Sequence, residues 1–327
     1  MVTARSKADP GIDIGNGFHI QYAQVMRITR NGVRALVALG ICCLFGLTGC
    51  SPSSGAAKPG KIGLVAGENF WGNIAAQIGG DRVTVKSIIS DSGADPHEYE
   101  STVDDAAAVA NAKVVVANGV GYDDFLTKLV SASPSNNRTV LTVADIVGVR
   151  GANPNPHLWY NPAYVIKAAG AIEAALAKES PAGASTFQAN LKTFLSGEQQ
   201  VVDVINRIKA KYAGQAVAYT ERVPGYLVAA AGLKLGTPLS FSLSLEDGND
   251  PSPRDNAAFE QALTKHTVRV LIYNAQVTDS ATKHLRDLAT SSGVPVVSMT
   301  ETMPSTEPNF QTWQAHQASE LLAALGG

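Results

Sequence analysis

Cysteine is nearly missing from this chain. Of 327 residues only Cys42, Cys43 and Cys50 carry a thiol, all within the first fifty. The rest of the sequence therefore holds no disulfide and no cysteine-ligated metal. Aromatic residues make up 6% and charged residues 17%, against 45% hydrophobic, which is too apolar for a disordered chain. Neither sign of charge prevails: 26 Lys and Arg face 28 Asp and Glu, a formal charge of -2. That balance excludes a strongly basic nucleic-acid binder. Beyond residue 50 no run approaches the roughly 20 consecutive apolar residues that cross a bilayer. The length exceeds what one hydrophobic core usually organises, so two domains of about 130 residues each are expected.

The one long apolar run is near the start. Arg27, Arg30 and Arg34 form a positive segment, and Ala35 to Leu47 an apolar stretch of signal-peptide length. It ends in Leu47-Thr48-Gly49-Cys50, which resembles the bacterial lipobox, whose cysteine is lipidated and becomes the mature N-terminus. The alternative is an ordinary signal peptide with a chance cysteine. Residues 1–25 contain no apolar run and precede Met26, as a mis-assigned start or a long leader would. The sequence after Cys50, SPSSGAAKPG, is a small, flexible spacer. A lipid adds about 0.8 kcal/mol per buried CH₂, so several acyl chains would hold the protein firmly at a membrane. Without residues 1–49 the chain has 21 basic and 26 acidic residues, a mild excess that suits cation capture better than anion capture.

From residue 61 short β-rich runs alternate with helical patterns. Strands are expected at 61–66, 82–89, 113–118 and 139–144, with helices at 69–79, 102–112, 121–132 and 162–178. Such alternation requires crossover connections and a mainly parallel sheet. A longer helical pattern follows over about 183–212. Phe187, Leu191, Phe194, Val201, Val204, Ile205 and Ile208 recur near a 3.6 period, and Gly214 supplies a stop. A second alternating set comes next, with strands at 215–220, 268–273 and 294–300 and helices at 224–232, 253–265, 279–291 and 309–325. The fold class expected is α/β, two lobes with mainly parallel sheets joined by one stiff helix. The divisions are a signal peptide over 1–49, a lipidated cysteine and spacer over 50–60, a first lobe over 61–180, a linking helix over 181–213 and a second lobe over 214–327.

Open α/β sheets bind ligands beyond the carboxyl ends of their strands. The loop after 82–89 contains Asp95-Pro96-His97-Glu98-Tyr99, and Asn155-Pro156-His157-Leu158-Trp159-Tyr160 follows strand 139–144. Strand 215–220 runs directly into Glu221 and strand 294–300 into Glu301. Two imidazoles and two carboxylates, one pair per lobe, suit zinc, manganese or iron. Each of the four also has an ordinary reading, as a solvated loop histidine or a carboxylate capping a helix. The two Pro-His pairs point beyond that, since proline restricts the backbone that holds the ring. His266, His284 and His316 fall at helix ends or on helix faces and read as structural or solvated, and His19 precedes the mature chain.

At these residues the sequence resembles a known family, the metal-binding lipoproteins of bacterial zinc and manganese ABC transporters, whose two lobes share a rigid helical backbone. The matching stretches are GADPHEYESTVDDAAAVANAKVVVANGVGYDDFL, NPHLWYNP, YTERVPGYLVAAAGL and GVPVVSMTET. Their order and spacing follow the family across residues 61–325. The resemblance implies a metal site in the inter-lobe cleft with His97 and His157 as its first two ligands. The third family position is His or Glu and falls on Glu221. The fourth is usually Asp and falls here on Glu301, one methylene longer. The cargo implied is one divalent transition metal, Mn²⁺ or Zn²⁺, with no organic cofactor. Glu221 in the third position, and no histidine between 97 and 157, tilt the expectation toward manganese. The partner implied is an ABC permease, for a monomer anchored by lipid outside the cytoplasmic membrane, and no nucleic acid.

Four protein donors would close the coordination shell, as a carrier needs, whereas a catalytic zinc keeps an open position. Two neutral imidazoles and two carboxylates also cancel the charge of a divalent ion. Release then requires one lobe's pair of donors to move from the other's, which the long helix limits to a small tilt. The competing readings are an extracytoplasmic metal-dependent hydrolase, a surface adhesin of the same fold, and a binder of an organic solute. The first lacks H-E-x-x-H, G-x-S-x-G and G-x-x-x-x-G-K-[ST] motifs. The last offers only Trp159, Tyr160 and Arg222 as clamps, and the two aromatics read better as packing around the His157 loop.

Overall fold

The computed structural model describes residues 60–91, 99–276 and 279–326. The leader, Cys50, nearly all of the spacer and His97 lie outside the described residues.

The first lobe is built from β1 (Ile62–Glu68), α1 (Asn69–Gly79), β2 (Val83–Ile89), α2 (Val103–Asn111), β3 (Val114–Ala117), α3 (Asp124–Ala132), β4 (Thr139–Thr142), α4 (Val143–Val147) and α5 (Pro162–Glu179). Its sheet is parallel with strand order β2-β1-β3-β4. The caps that fix these helices are local. Thr102 and Asp105 form a reciprocal capping box on α2. Asn161 accepts from the Ala163 N–H ahead of α5, whose first residue is Pro162.

Next comes α6 (Ala184–Tyr212), 29 residues and about 44 Å long at 1.5 Å per residue. Its inward stripe is Phe187, Phe194, Val201 and Ile208, every seventh residue, joined by Glu198 and Ile205. Leu191 and Val204, expected on that face, are only partly buried at its edge.

The second lobe comprises β5 (Ala216–Tyr219), α7 (Gly225–Ala230), β6 (Lys234–Leu235), α8 (Leu239–Glu246), α9 (Pro253–Thr264), β7 (Leu271–Asn274), α10 (Ser280–Ser291), β8 (Val296–Met299) and α11 (Phe310–Ala324). Its sheet is again parallel, ordered β6-β5-β7-β8. The two sheets thus share one topology. In each the chain leaves the first strand to one side and returns to the other, so a crevice opens between β1 and β3 and between β5 and β7.

Three elements were not expected from the sequence. Residues 143–147, placed at the end of a strand and beyond it, turn into α4, which Gly148 closes at φ 78°. β6 is only two residues long, too short for any periodicity. α8 reads Leu-Ser-Phe-Ser-Leu-Ser-Leu-Glu, a period-two pattern with almost no amphipathic helical face.

The largest buried cluster runs from β1 and α1 through α5 and α6 to β7, β8 and α11. Both lobes therefore share one apolar core along α6. Polar clasps reinforce it: Asn69 exchanges two hydrogen bonds with the Met303 backbone, Asn73 accepts from the Phe310 N–H, and Gln77 pairs with Gln311. A common core with clasps along α1 favours small relative tilts over wide hinge opening.

Candidate functional site

The carboxyl ends of both sheets face one cleft, and the chain folds its polar residues into it. After β4 and α4, the segment through Asn153 and Asn155 delivers His157, which is completely buried. The aromatics that follow lock it in place. Trp159 stacks on Phe70 with centroids 4.0 Å apart. Tyr160 donates to the Thr300 carbonyl at 2.7 Å and to Gln317 Oε1 at 2.9 Å. Trp159 and Tyr160 are packing residues, as expected.

Asn155 orients the ring. Its Oδ1 lies 2.7 Å from His157 Nδ1 and accepts from the His157 backbone N–H at 3.1 Å. Its Nδ2 donates to the Arg222 carbonyl at 2.8 Å, which fixes which end of the amide is oxygen. Nδ1 therefore donates to Asn155, and Nε2 lies 3.5 Å from Glu301 Oε2.

Glu301 follows β8 and is 1% exposed. Gln276 Oε1 accepts from the N–H groups of Glu301 and Thr302 and so shapes this turn. Tyr122, from the turn after β3, donates its hydroxyl to Glu301 Oε2 at 3.0 Å. The third expected residue, Glu221, follows β5 and is 2% exposed. Asn274 Nδ2 donates to both Glu221 Oε2 and Glu301 Oε1. The amide lies between two buried carboxylates and relieves their repulsion.

Beside Glu221, Arg222 reaches back across the cleft. Its Nε donates to Glu246 Oε2 at 2.6 Å, and its Nη atoms reach the Asn153 carbonyl and Oδ1 at 3.2 and 3.1 Å. Tyr226 donates to the Asn155 carbonyl at 3.0 Å. This set of bonds ties the His157 loop of one lobe to the Glu221 loop of the other.

The structure thus gathers His157, Glu221 and Glu301, while His97 lies outside the described residues. Among the described residues no three His, Cys, Asp or Glu side chains close on one point as a finished metal cage. The other described histidines stand apart from the cleft. His284 faces Glu260 at 3.2 Å and His316 faces Glu307 at 2.9 Å, both on exposed helix surfaces. His266 ends α9 in a left-handed conformation, φ 51°.

Sequence reasoning missed Tyr122, Asn155, Asn274 and Gln276. Asn274 could have been found, because it ends β7 just as Glu221 and Glu301 follow their strands. Nothing local marks Tyr122, whose partner is 179 residues away.

Fold and cleft together define a class: a two-lobed parallel α/β protein whose lobes share one long helix and whose buried His157, Glu221 and Glu301 lie where the lobes meet. Residues 64–324 match the family described as zinc-uptake complex component A, periplasmic, and the chain belongs to that family. Among curated relatives it is 29% identical over 174 residues to the metal ABC transporter substrate-binding lipoprotein FimA of Streptococcus parasanguinis. That match covers 50% of this chain and 56% of FimA, so the chain spans little more than half of that relative's length. It is 25% identical over 268 residues to the manganese ABC transporter substrate-binding lipoprotein scaA of Streptococcus gordonii, covering 76% of this chain and 84% of that one. Among solved structures, the periplasmic zinc binding protein TroA from Treponema pallidum aligns with a TM-score of 0.69 at 18% identity, over 81% of this chain and 99% of that one. The last likeness is one of fold.

Proposed function

We propose that this protein is an extracytoplasmic binding protein that captures one divalent transition metal, manganese or zinc, and delivers it to an ABC permease. The ligands in this reading are His97 and His157 from the first lobe and Glu221 and Glu301 from the second. One observation supports it above the others. His157 Nδ1 is committed to Asn155, and Nε2 faces Glu301 Oε2 at 3.5 Å, both side chains buried. An imidazole nitrogen and a carboxylate oxygen, both buried and facing each other, are donor types that a divalent transition metal takes together. The chemistry needed is capture and release, with a closed shell of donors that leaves no open position for a reacting water, so we assign no catalysis. FimA and scaA, both substrate-binding lipoproteins of metal ABC transporters, support this reading. In the same reading Cys50 is the lipid-modified residue that tethers the protein outside the cytoplasmic membrane.

The test is metal-dependent stability. Purified protein stripped with a chelator is melted in the presence of Zn²⁺, Mn²⁺, Fe²⁺ or Mg²⁺. A cargo ion at a thousandfold over its Kd stabilises by about 4 kcal/mol, and His157→Ala or Glu301→Ala abolishes that gain. If none of these ions raises the melting temperature of the wild-type protein, the metal reading is wrong. If an organic solute raises it instead, the cleft holds another class of cargo.

A further inference from the structure

The two sheets repeat not only their topology but also a polar pair at the crevice. In the second lobe Ala218 pairs with Leu271 and Tyr219 with Ile272. Two residues further along the same register come Glu221 and Asn274, the carboxylate and amide already found in the cleft. In the first lobe Val65 pairs with Val115 and Ala66 with Val116. Two residues further along come Glu68 and Asn118. A carboxylate on the first strand and an asparagine on the returning strand thus occur at the same register position in both lobes.

Glu68 has no role in the site as described. It ends β1 in the centre of the sheet and is 0% exposed, yet neither carboxylate oxygen has a hydrogen-bond partner on another residue. Burial and the neighbouring Asp123 push its carboxyl well above the usual range. A buried carboxyl with no partner is costly and rare in native structures. Its counterpart Glu221 accepts from Asn274, but Asn118 is committed elsewhere. Asn118 donates to the Pro156 carbonyl at 2.9 Å and accepts from Trp71 Nε1 at 3.2 Å.

Those bonds also say where Glu68 points. Residues opposed in register on neighbouring strands project from the same face of a sheet. Asn118 projects toward the loop that delivers His157, and Glu68 beside it shares that face. The next residue, Asn69, is bonded to the backbone of Met303, two positions after Glu301. Glu68 therefore shares the sheet face of Asn118, which holds the His157 loop, and precedes Asn69, which holds the backbone after Glu301.

We propose that Glu68 is a further oxygen donor to the cation in the cleft, the first lobe's counterpart of Glu221, and that it favours Mn²⁺ over Zn²⁺. The inference rests on the reading of the cleft as a metal site. Zinc is satisfied by four donors, whereas manganese takes more ligands and prefers oxygen. A third carboxylate leaves one negative charge beyond a divalent ion, and the Asn274 amide and Tyr122 hydroxyl already donate into the carboxylate set.

The experiment compares wild type, Glu68→Gln, Glu68→Asp and His157→Ala as full-length proteins, with Mn²⁺ and Zn²⁺ affinities measured by chelator competition. Water-proton relaxation counts the waters on bound Mn²⁺. Glu68→Gln should weaken Mn²⁺ by roughly tenfold or more and Zn²⁺ by less than about threefold, and should add one water to the bound manganese. Glu68→Asp, which keeps the oxygen donor, should lie between wild type and Glu68→Gln, and it also serves if the amide variant does not fold. The proposal is overturned if both affinities stay at wild type, if both fall equally, or if manganese hydration does not change. If His157→Ala binds both ions as wild type does, the metal reading of the cleft fails and Glu68 falls with it. If His157→Ala abolishes binding while Glu68→Gln changes nothing, only the Glu68 assignment fails.

Discussion

Tyr122 donates its hydroxyl to Glu301 Oε2 across 3.0 Å, a hydrogen bond that joins the turn after β3 in one lobe to the carboxylate after β8 in the other. Both residues are buried, so the bond is made to a carboxylate largely shielded from water. Hydrogen bonds to charged groups contribute about 1.5–3 kcal/mol. Tyr122→Phe should lower the stability of the metal-free protein by that amount in urea denaturation. The loss should shrink in the metal-loaded protein, where a cation takes over the charge of Glu301. An equal loss in both states would mean that Tyr122 acts on packing alone.

Asn155 holds the His157 ring through Nδ1 and reaches the Arg222 carbonyl with its other end. Partners that orient a metal-bound histidine typically contribute 10–100-fold in affinity. Asn155→Ala should weaken metal binding by about that factor, measured by chelator competition. Asn155→Asp keeps the acceptor for Nδ1–H and should recover part of the loss. The donor to Arg222 is gone in both variants, so their difference reports what an acceptor at Oδ1, here a charged one, contributes at His157.

Glu198 sits on the inward stripe of α6, 1% exposed, and burial pushes its carboxyl up to about 8. Between the ordinary carboxylate range and that value the unfolded chain has lost its proton while the folded chain keeps it. Stability therefore falls as pH rises through this window, by at most about 1.4 kcal/mol per pH unit from this group. Glu198→Gln should remove the slope. The stability difference between variant and wild type, from urea denaturation at several pH values spanning the carboxylate range to beyond about 8, should grow with pH and then level off above that value. A difference that is constant with pH would show that Glu198 ionises in the folded state.

Much of the architecture was written in local pattern. The 3.6 period over 183–212 located α6 to within a residue or two, because its inward stripe packs along one continuous core. The strands of both lobes were legible from their β-branched runs between helical segments. α8 was not, since its alternating Leu and Ser favour neither helix nor strand by period, and its context decides. Two-residue β6 exists only because β5 offers it a pairing edge.

The site divides the same way. Amino-acid type and position after a strand singled out His157, Glu221 and Glu301, since parallel sheets send their strand ends to one side. Their partners depend on how two lobes meet. Asn274 bridges the carboxylates, Asn155 meets Arg222, and Tyr122 meets Glu301 only after the sheets are registered and packed on α6. The sequence by itself determined which elements form and which donor residues end them, through periodicity, capping and turn chemistry acting over a few residues. Only the tertiary structure decided which of these side chains face one another and that Glu68 is buried at the end of a central strand. Those relations join residues far apart in the chain, and strand register and the shared core set them.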